Sequence, residues 1–324
     1  MHPIETRDLT VVYRTGVLAR PHLALDGLTL HIEEGEVFGF IGANGAGKTT
    51  TIKTLLGLIL PTRGECSLLG KSARDPVARR EIGFLPESPY FYEYLDARET
   101  LTFYAQLSGL DGPVVAARAD EVLERVGLAF AADRRVGTYS RGMRQRLGLA
   151  QAIIHKPRLA ILDEPMSGLD PLGRRDVRAL ILELARGGVT VFFSSHILSD
   201  VEALCDRVGV VADGKLVAAG PVAELTTPRV KAVEIRCSGV SKKDLGKAGE
   251  TVSEYREDGE VVTFEVPDET SADKAARAII KKGGSLKSLV PVKESLEEVF
   301  SRLQVVSSDG VSPDAGGDAE GGAT

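Results

Sequence analysis

Eight consecutive residues, Gly42-Ala43-Asn44-Gly45-Ala46-Gly47-Lys48-Thr49, fit the pattern GxxxxGK[ST]. Those types at that spacing suit one task, holding the phosphates of a ligand. Glycines at 42, 45 and 47 let backbone N–H groups wrap phosphate oxygens, and a helix starting behind them adds positive potential. Lys48 is placed to reach the β- and γ-phosphates, and the Thr49 hydroxyl to bind Mg²⁺. A second candidate is Leu159-Ala160-Ile161-Leu162-Asp163-Glu164, an apolar run ending in two carboxylates. At the carboxyl edge of a parallel sheet, where α/β proteins bind ligands, Asp163 could hold Mg²⁺ and Glu164 could act as general base toward a water. A strand ending in Asp-Glu is common without such a role, and it is the phosphate loop upstream that favours the chemical reading. The third candidate is Tyr139-Ser140-Arg141-Gly142-Met143-Arg144-Gln145-Arg146, which runs into a helix. Its Ser-x-Gly start is a potential anion site and equally an ordinary N-cap.

These groups need elements to carry them. The β-branched stretch 4–13 and the alternating stretch 28–32 read as strands. A turn at Glu34-Gly35 leads to a short apolar run, 37–41, ahead of the glycine-rich loop. Similar runs recur at 82–85, 159–162 and 189–193, as strands buried on both faces of a parallel sheet do. A helix is expected from about 49 to 58, another over 172–186, closed by Gly187-Gly188, and a third from Ser199, with Glu202 completing a capping box. Residues 208–220 read as a hairpin turned at Asp213-Gly214. After Thr227-Pro228 the character changes. Strands are expected at 233–237, 251–256, 260–266 and 286–292, with a turn at Asp258-Gly259. A weak helix is expected at 242–247 and a stronger one at 271–282, giving the order βαββαβ, a ferredoxin-like pattern. A last helix is expected from Ser295, with an apolar stripe of Leu296, Val299, Phe300 and Leu303.

Composition sets the outer limits. The chain has 324 residues, 43% of them hydrophobic and 27% charged, enough to bury a sizeable core. Its formal charge of −6 argues against a protein that coats nucleic acid by bulk positive charge. Four of the acids (Asp309, Asp314, Asp318, Glu320) lie in a Gly- and Ala-rich end with no Lys or Arg, expected to be disordered. Cys66, Cys205 and Cys237 form neither a disulfide framework nor a zinc pattern. The N-terminus carries no apolar signal core, and no stretch reaches the length of a membrane span, so any membrane role is expected to come through a partner or a surface.

The order of motifs resembles the nucleotide-binding subunits of ATP-binding cassette (ABC) transporters, over roughly residues 4 to 225. GANGAGKT resembles that family's phosphate loop, YSRGMRQR a variant of its signature motif, and AILDEP its Mg²⁺-binding and catalytic strand. Ser167-Gly168-Leu169-Asp170 resembles the loop that lines the dimer interface, and His196, after VTVFFSS, the switch histidine. The resemblance implies an α/β fold: a P-loop NTPase cassette with a mixed sheet core, an antiparallel β subdomain and a helical subdomain, plus a small α+β C-terminal domain. It implies an ATPase domain at 1–226 with its helical subdomain at about 88–155, a ferredoxin-like domain at 227–304 and a disordered tail at 305–324. Glu164, His196 and Lys48 would be catalytic. Tyr13 would stack on adenine, Thr50 would join the phosphate loop, and Ser140, Gly142 and Asp170 would meet ATP across the dimer. Thr49, Asp163 and Glu87 would serve the metal.

Two departures matter. Glu87 stands where the family has a glutamine, which adds a negative charge. In the signature, Arg141 replaces the first glycine and Met143 the glutamine. Such variants, and the C-terminal extension, resemble the export branch. The implied cofactors are ATP and Mg²⁺. The implied partners are a separate integral membrane permease and a second cassette, with no nucleic acid. The implied place is the cytoplasmic face of the cell membrane, reached through the permease. The helical segment 88–128, with Tyr90-Phe91-Tyr92-Glu93-Tyr94, is the expected permease contact. A soluble cassette ATPase of translation or DNA repair is the alternative, although its usual second cassette or inserted coiled coil is missing. A P-loop kinase leaves YSRGMRQR and His196 unexplained.

Overall fold

The computed structural model describes residues 2–14, 21–225, 230–241 and 252–293. Two compact units divide the described residues, one up to Val222 and one from Ala223. In chain order the first unit runs β1 (Ile4–Tyr13), β2 (His22–Ile32), β3 (Val37–Ile41), α1 (Lys48–Leu55), β4 (Arg63–Leu68) and β5 (Lys71–Ser72). It continues with β6 (Ile82–Leu85), α2 (Ala97–Leu107), α3 (Val114–Arg125), α4 (Arg141–Ile153), β7 (Leu159–Asp163), α5 (Pro171–Arg186), β8 (Thr190–Ser195), α6 (Leu198–Leu204), β9 (Arg207–Ala212) and β10 (Lys215–Pro221).

Six strands form the central sheet in the order β10-β9-β3-β8-β7-β6. The five from β9 to β6 are parallel, and β10 closes the edge as the antiparallel arm of the Asp213-Gly214 hairpin. Every residue of β3, β7 and β8 is buried, which is why these strands read as unbroken apolar runs rather than alternating ones. Phe192 stacks on Phe38 with ring centroids 6.0 Å apart and meets Phe40 at 5.4 Å, which ties β8 to β3. A second, antiparallel sheet has the order β2-β1-β4-β5 and shares an apolar core with α1 and the central sheet. Helices α2, α3 and α4 pack together as a helical lobe, and α4 also lies against β6. The expected cassette, a mixed sheet with an antiparallel β subdomain and a helical subdomain, is the fold observed.

The second unit contains α7, which straddles the division (Val222–Leu225), β11 (Val230–Ser238), β12 (Ser253–Asp258), β13 (Val261–Val266), α8 (Glu269–Lys281) and β14 (Ser285–Lys293). Its antiparallel sheet has the order β12-β13-β11-β14, the strand order of a ferredoxin-like βαββαβ fold. The helices expected at 242–247 and from Ser295, and the tail from 305, lie outside the described residues.

Local differences from the sequence reading have physical causes. Helix α1 stops at Leu55 rather than Leu58, because Gly57 enters the left-handed region at φ +69°. Ser199 does not cap α6. The Ser195 hydroxyl accepts a hydrogen bond from the Ile197 N–H at 2.9 Å, so the chain turns earlier and the helix starts at Leu198. The β12–β13 turn sits one residue later than expected: Asp258 pairs with Val261, and Gly259 takes the first central position at φ +59°.

Gly83 shows how tightly the helical lobe meets the sheet. A Cβ there would overlap the carbonyl oxygen of Ala152 on α4. Neither backbone can give way, so Gly83→Ala is expected to destabilise the first unit by about 3 kcal/mol. Chemical denaturation followed by far-UV circular dichroism checks this. A loss under about 0.5 kcal/mol, the usual surface value, would show that the two layers can separate.

Candidate functional site

The site lies where β3 and β7 end. Between Ile41 and Lys48 the chain wraps into a loop whose shape only glycine allows at its last residue. Gly47 sits at φ +110°, and a Cβ there would come within 2.9 Å of the Ala24 carbonyl and 2.8 Å of Leu25 Cδ2. Gly42 is confined too, since its Cβ would lie 2.6 Å from the Val211 carbonyl. Lys48 is buried and folds back along this loop. Its Nζ donates to the Gly42 carbonyl at 2.7 Å and to the Ala43 carbonyl at 3.3 Å. An ammonium group held this way, inside a ring of backbone at a helix N-terminus, is preset for an anion.

Two carboxylates end β7. Asp163 Oδ2 accepts from the Thr49 hydroxyl at 3.3 Å. Its Oδ1 accepts from the Ser194 hydroxyl at 2.6 Å, and the Ser194 oxygen in turn accepts from the Glu164 N–H at 3.0 Å. Glu164 has a left-handed backbone, φ +49°, although it is not a glycine and precedes Pro165. Gln145 on α4 holds that conformation by donating to the carbonyls of Glu164 (3.3 Å) and Pro165 (3.2 Å). The turn aims the Glu164 side chain between two partners. Lys48 Nζ lies 3.7 Å from Oε1, and His196 Nδ1 lies 2.9 Å from Oε2. With the proton on Nδ1 the histidine donates to Glu164, leaving Nε2 for a ligand.

These groups open on one cavity of about 500 Å³. Tyr13, Ala43, Asn44, Gly45, Gly47 and Lys48 line it, as do Thr49, Thr50, Glu87, Glu164 and His196. The Tyr13 and Thr50 hydroxyls are 3.3 Å apart. Gly42, Ala46 and Asp163 do not line the cavity but support it from behind. Thr49 and Asp163 supply a hydroxyl and a carboxylate side by side, hard oxygen donors that suit Mg²⁺. No group of three His, Cys, Asp or Glu among the described residues makes a closed metal cage. The pair alone would leave most of such a cation's coordination to other ligands.

Ser140, Gly142 and Asp170 are not in the cavity lining. Ser140 caps α4, its hydroxyl accepting from the Met143 N–H at 3.2 Å, and Asp170 caps α5 through the Gly173 N–H at 3.0 Å. The two caps belong to one patch. Arg141 donates to the Ser167 hydroxyl at 3.1 Å, and Gly142 packs toward Leu169. Ser194 and Gln145 were legible only as letters in motifs, with no pattern to mark their roles. His22 and Ala24, which also line the cavity, carried no signal at all. The cysteines stand apart from this chemistry. Burial pushes the Cys66 thiol up to about 11 and Cys205 well above the ordinary range, so neither is a nucleophile near neutral pH.

A family model described as ABC transporter matches residues 25–167. An uncharacterised ABC transporter ATP-binding protein, YxlF of Bacillus subtilis, is 40% identical over 288 residues, covering 88% of this chain and 95% of that protein. The bacitracin transport ATP-binding protein BcrA of Bacillus licheniformis is 43% identical over 243 residues, covering 74% and 76%. A solved structure described as the ATP binding subunit of an ABC transporter is 32% identical with a TM-score of 0.62, covering 69% of this chain and 92% of that one.

Ser194 is the joint between the two carboxylate residues. Ser194→Ala leaves Asp163 Oδ1 and the Glu164 N–H without their shared partner in a buried setting. It is expected to cost about 1–3 kcal/mol of stability, measured by chemical denaturation.

Proposed function

The chain belongs to the ABC transporter family as an ATP-binding subunit, and from that premise we propose that it hydrolyses ATP to drive a separate membrane permease, in the direction of export. One observation carries the hydrolytic reading: Glu164 stands between Lys48 and His196 at the mouth of a glycine-lined cavity. The amides of 43–49 and Lys48 hold the phosphates. Glu164 accepts a proton from the attacking water, and His196 keeps the carboxylate aimed through Nδ1–H and, when Nε2 also carries a proton, donates to a γ-phosphate oxygen. Thr49 and Asp163 would hold Mg²⁺, which when bound would supply positive charge against the phosphate oxygens. Glu87 faces the same space from the end of β6, where its charge favours a metal reached through water.

The position of the signature residues supports a dimer. Ser140, Gly142 and Asp170 lie away from the cavity of their own chain, so a second copy would bring them to the nucleotide. ATP then joins the two cassettes and hydrolysis parts them, a two-state device that can drive a partner. The Bacillus licheniformis relative, named a bacitracin transport ATP-binding protein, supports export as the direction.

The proposed permease is a separate chain, with this chain peripheral on its cytoplasmic side; no helix among the described residues is long and apolar enough to cross a membrane. The docking surface is the aromatic strip ahead of α2. Phe91 is 5% exposed and anchors the strip, whereas Tyr90 and Tyr94 are 84% and 69% exposed. Tyr92 meets Phe103 edge-on at 5.8 Å and Tyr94 at 5.7 Å, beside a groove of about 500 Å³ with Asp96, Arg98 and Glu99 on its walls. Exposed aromatics with a charged rim suit a helix presented by a membrane partner.

Two outcomes are expected. Glu164→Gln should lower ATP turnover about 10²–10⁴-fold while ATP still binds, by phosphate release and equilibrium binding; near-normal turnover removes Glu164 as the base. Tyr90→Ala with Tyr92→Ala should reduce the membrane subunit recovered with the chain from solubilised membranes at least about tenfold, with the circular dichroism spectrum unchanged. Undiminished recovery rejects the docking surface.

A further inference from the structure

One fully buried carboxylate has no part in the chemistry above. Asp200, in α6, is 0% exposed. Both its oxygens face α5. Oδ2 accepts from Arg174 Nη2 at 3.1 Å, and Oδ1 accepts from Arg178 Nε at 3.1 Å and also from Arg178 Nη2. The two helices leave the site from different places. Helix α6 begins two residues after His196, and α5 begins directly after Asp170, the end of the 167–170 loop.

Holding helices together does not require such a cluster. Well-packed apolar residues of similar volume commonly serve as well as a buried ion pair, or better. An arginine fork on a carboxylate adds direction, because its donors fix angle and register as well as distance. Helix α6 needs that direction. It has seven residues, its N-cap is Ile197, and no side chain caps it. So short a helix is not stable by itself, and its tertiary contacts set its position. His196 sits at the start of that helix with Nδ1 2.9 Å from Glu164 Oε2, a contact that a small tilt of α6 would lengthen.

We propose that Asp200 is a positioning residue for His196. Through Arg174 and Arg178 it locks α6 to α5, so the histidine–glutamate contact follows the 167–170 loop at the head of α5. This rests on the reading of Glu164 and His196 as the hydrolytic pair. A second copy that moves the loop would thereby adjust the histidine.

The test uses the full chain, with kcat and KM for ATP and the melting temperature measured together. Asp200→Asn should lower kcat about 10–100-fold, the effect of sub-ångström to ångström misplacement, with KM within about threefold. The triple variant Asp200→Leu, Arg174→Met, Arg178→Met replaces the cluster with apolar contacts. It should recover the wild-type melting temperature and keep the low kcat. If turnover returns with stability, Asp200 is structural only and the proposal is overturned. Arg178→Lys keeps the charge and loses the fork, and decides the matter where either variant does not fold: reduced kcat at an unchanged melting temperature supports the proposal, and unchanged kcat overturns it. His196→Ala separates the two readings. Wild-type turnover in that variant overturns both, whereas loss of turnover there beside a normal Asp200→Asn overturns only the role of Asp200.

Discussion

A carboxylate between two nitrogen groups is the contact on which the rest of this molecule turns. Glu164 meets Lys48 on one side and His196 on the other, and it does so from a backbone conformation that a glutamate ahead of proline does not choose. A left-handed residue of this kind costs on the order of 1–3 kcal/mol and persists only when its surroundings over-determine it. Here they do: Ser194 receives the Glu164 N–H, and Gln145 donates to the carbonyls of Glu164 and Pro165. The strand β7 thus delivers Asp163 to the hydroxyl of Thr49 and turns the next residue away, toward the cavity.

The fold is arranged to make that bend rigid. Strands β3, β7 and β8 are adjacent, parallel and wholly buried. Their carboxyl ends bring Lys48, Glu164 and His196 together from three distant parts of the sequence. The helical lobe contributes from the other side through the N-terminal part of α4, which carries the Ser140 cap and, five residues on, Gln145. Any shift of α4 therefore moves both the brace of Glu164 and the patch formed by Ser140, Gly142 and the 167–170 loop.

Much of this was written locally. Strands β1, β3 and β6 begin and end where the apolar patterns say, and Asp213-Gly214 makes the hairpin its residue types demand. The glycine spacing and the Asp-Glu strand end pointed to Gly45, Gly47, Lys48 and Glu164, which share one cavity, and to Gly42 and Asp163, which lie behind it. Tertiary details were not legible. Ser194 looks like one more small residue in a buried strand, and its double role exists only because β7 lies beside it. Gln145 sits inside a motif whose letters do not say that it reaches back to Glu164. Helix α6 carried a convincing capping signal at Ser199, yet Ser195, at the end of β8, had already turned the chain. The aromatic cluster ahead of α2 was visible, but that Phe91 anchors it while Tyr90 and Tyr94 project is decided by packing against the lobe.

The central claim is that this arrangement activates water against a phosphate. Single-turnover reaction of the purified chain with ATP and Mg²⁺ in ¹⁸O-enriched water tests it most directly, by mass analysis of the phosphate released. The account predicts inorganic phosphate carrying one oxygen from solvent. Intact ATP after prolonged incubation with excess protein, or a γ-phosphate passed to another acceptor without solvent oxygen, would contradict it.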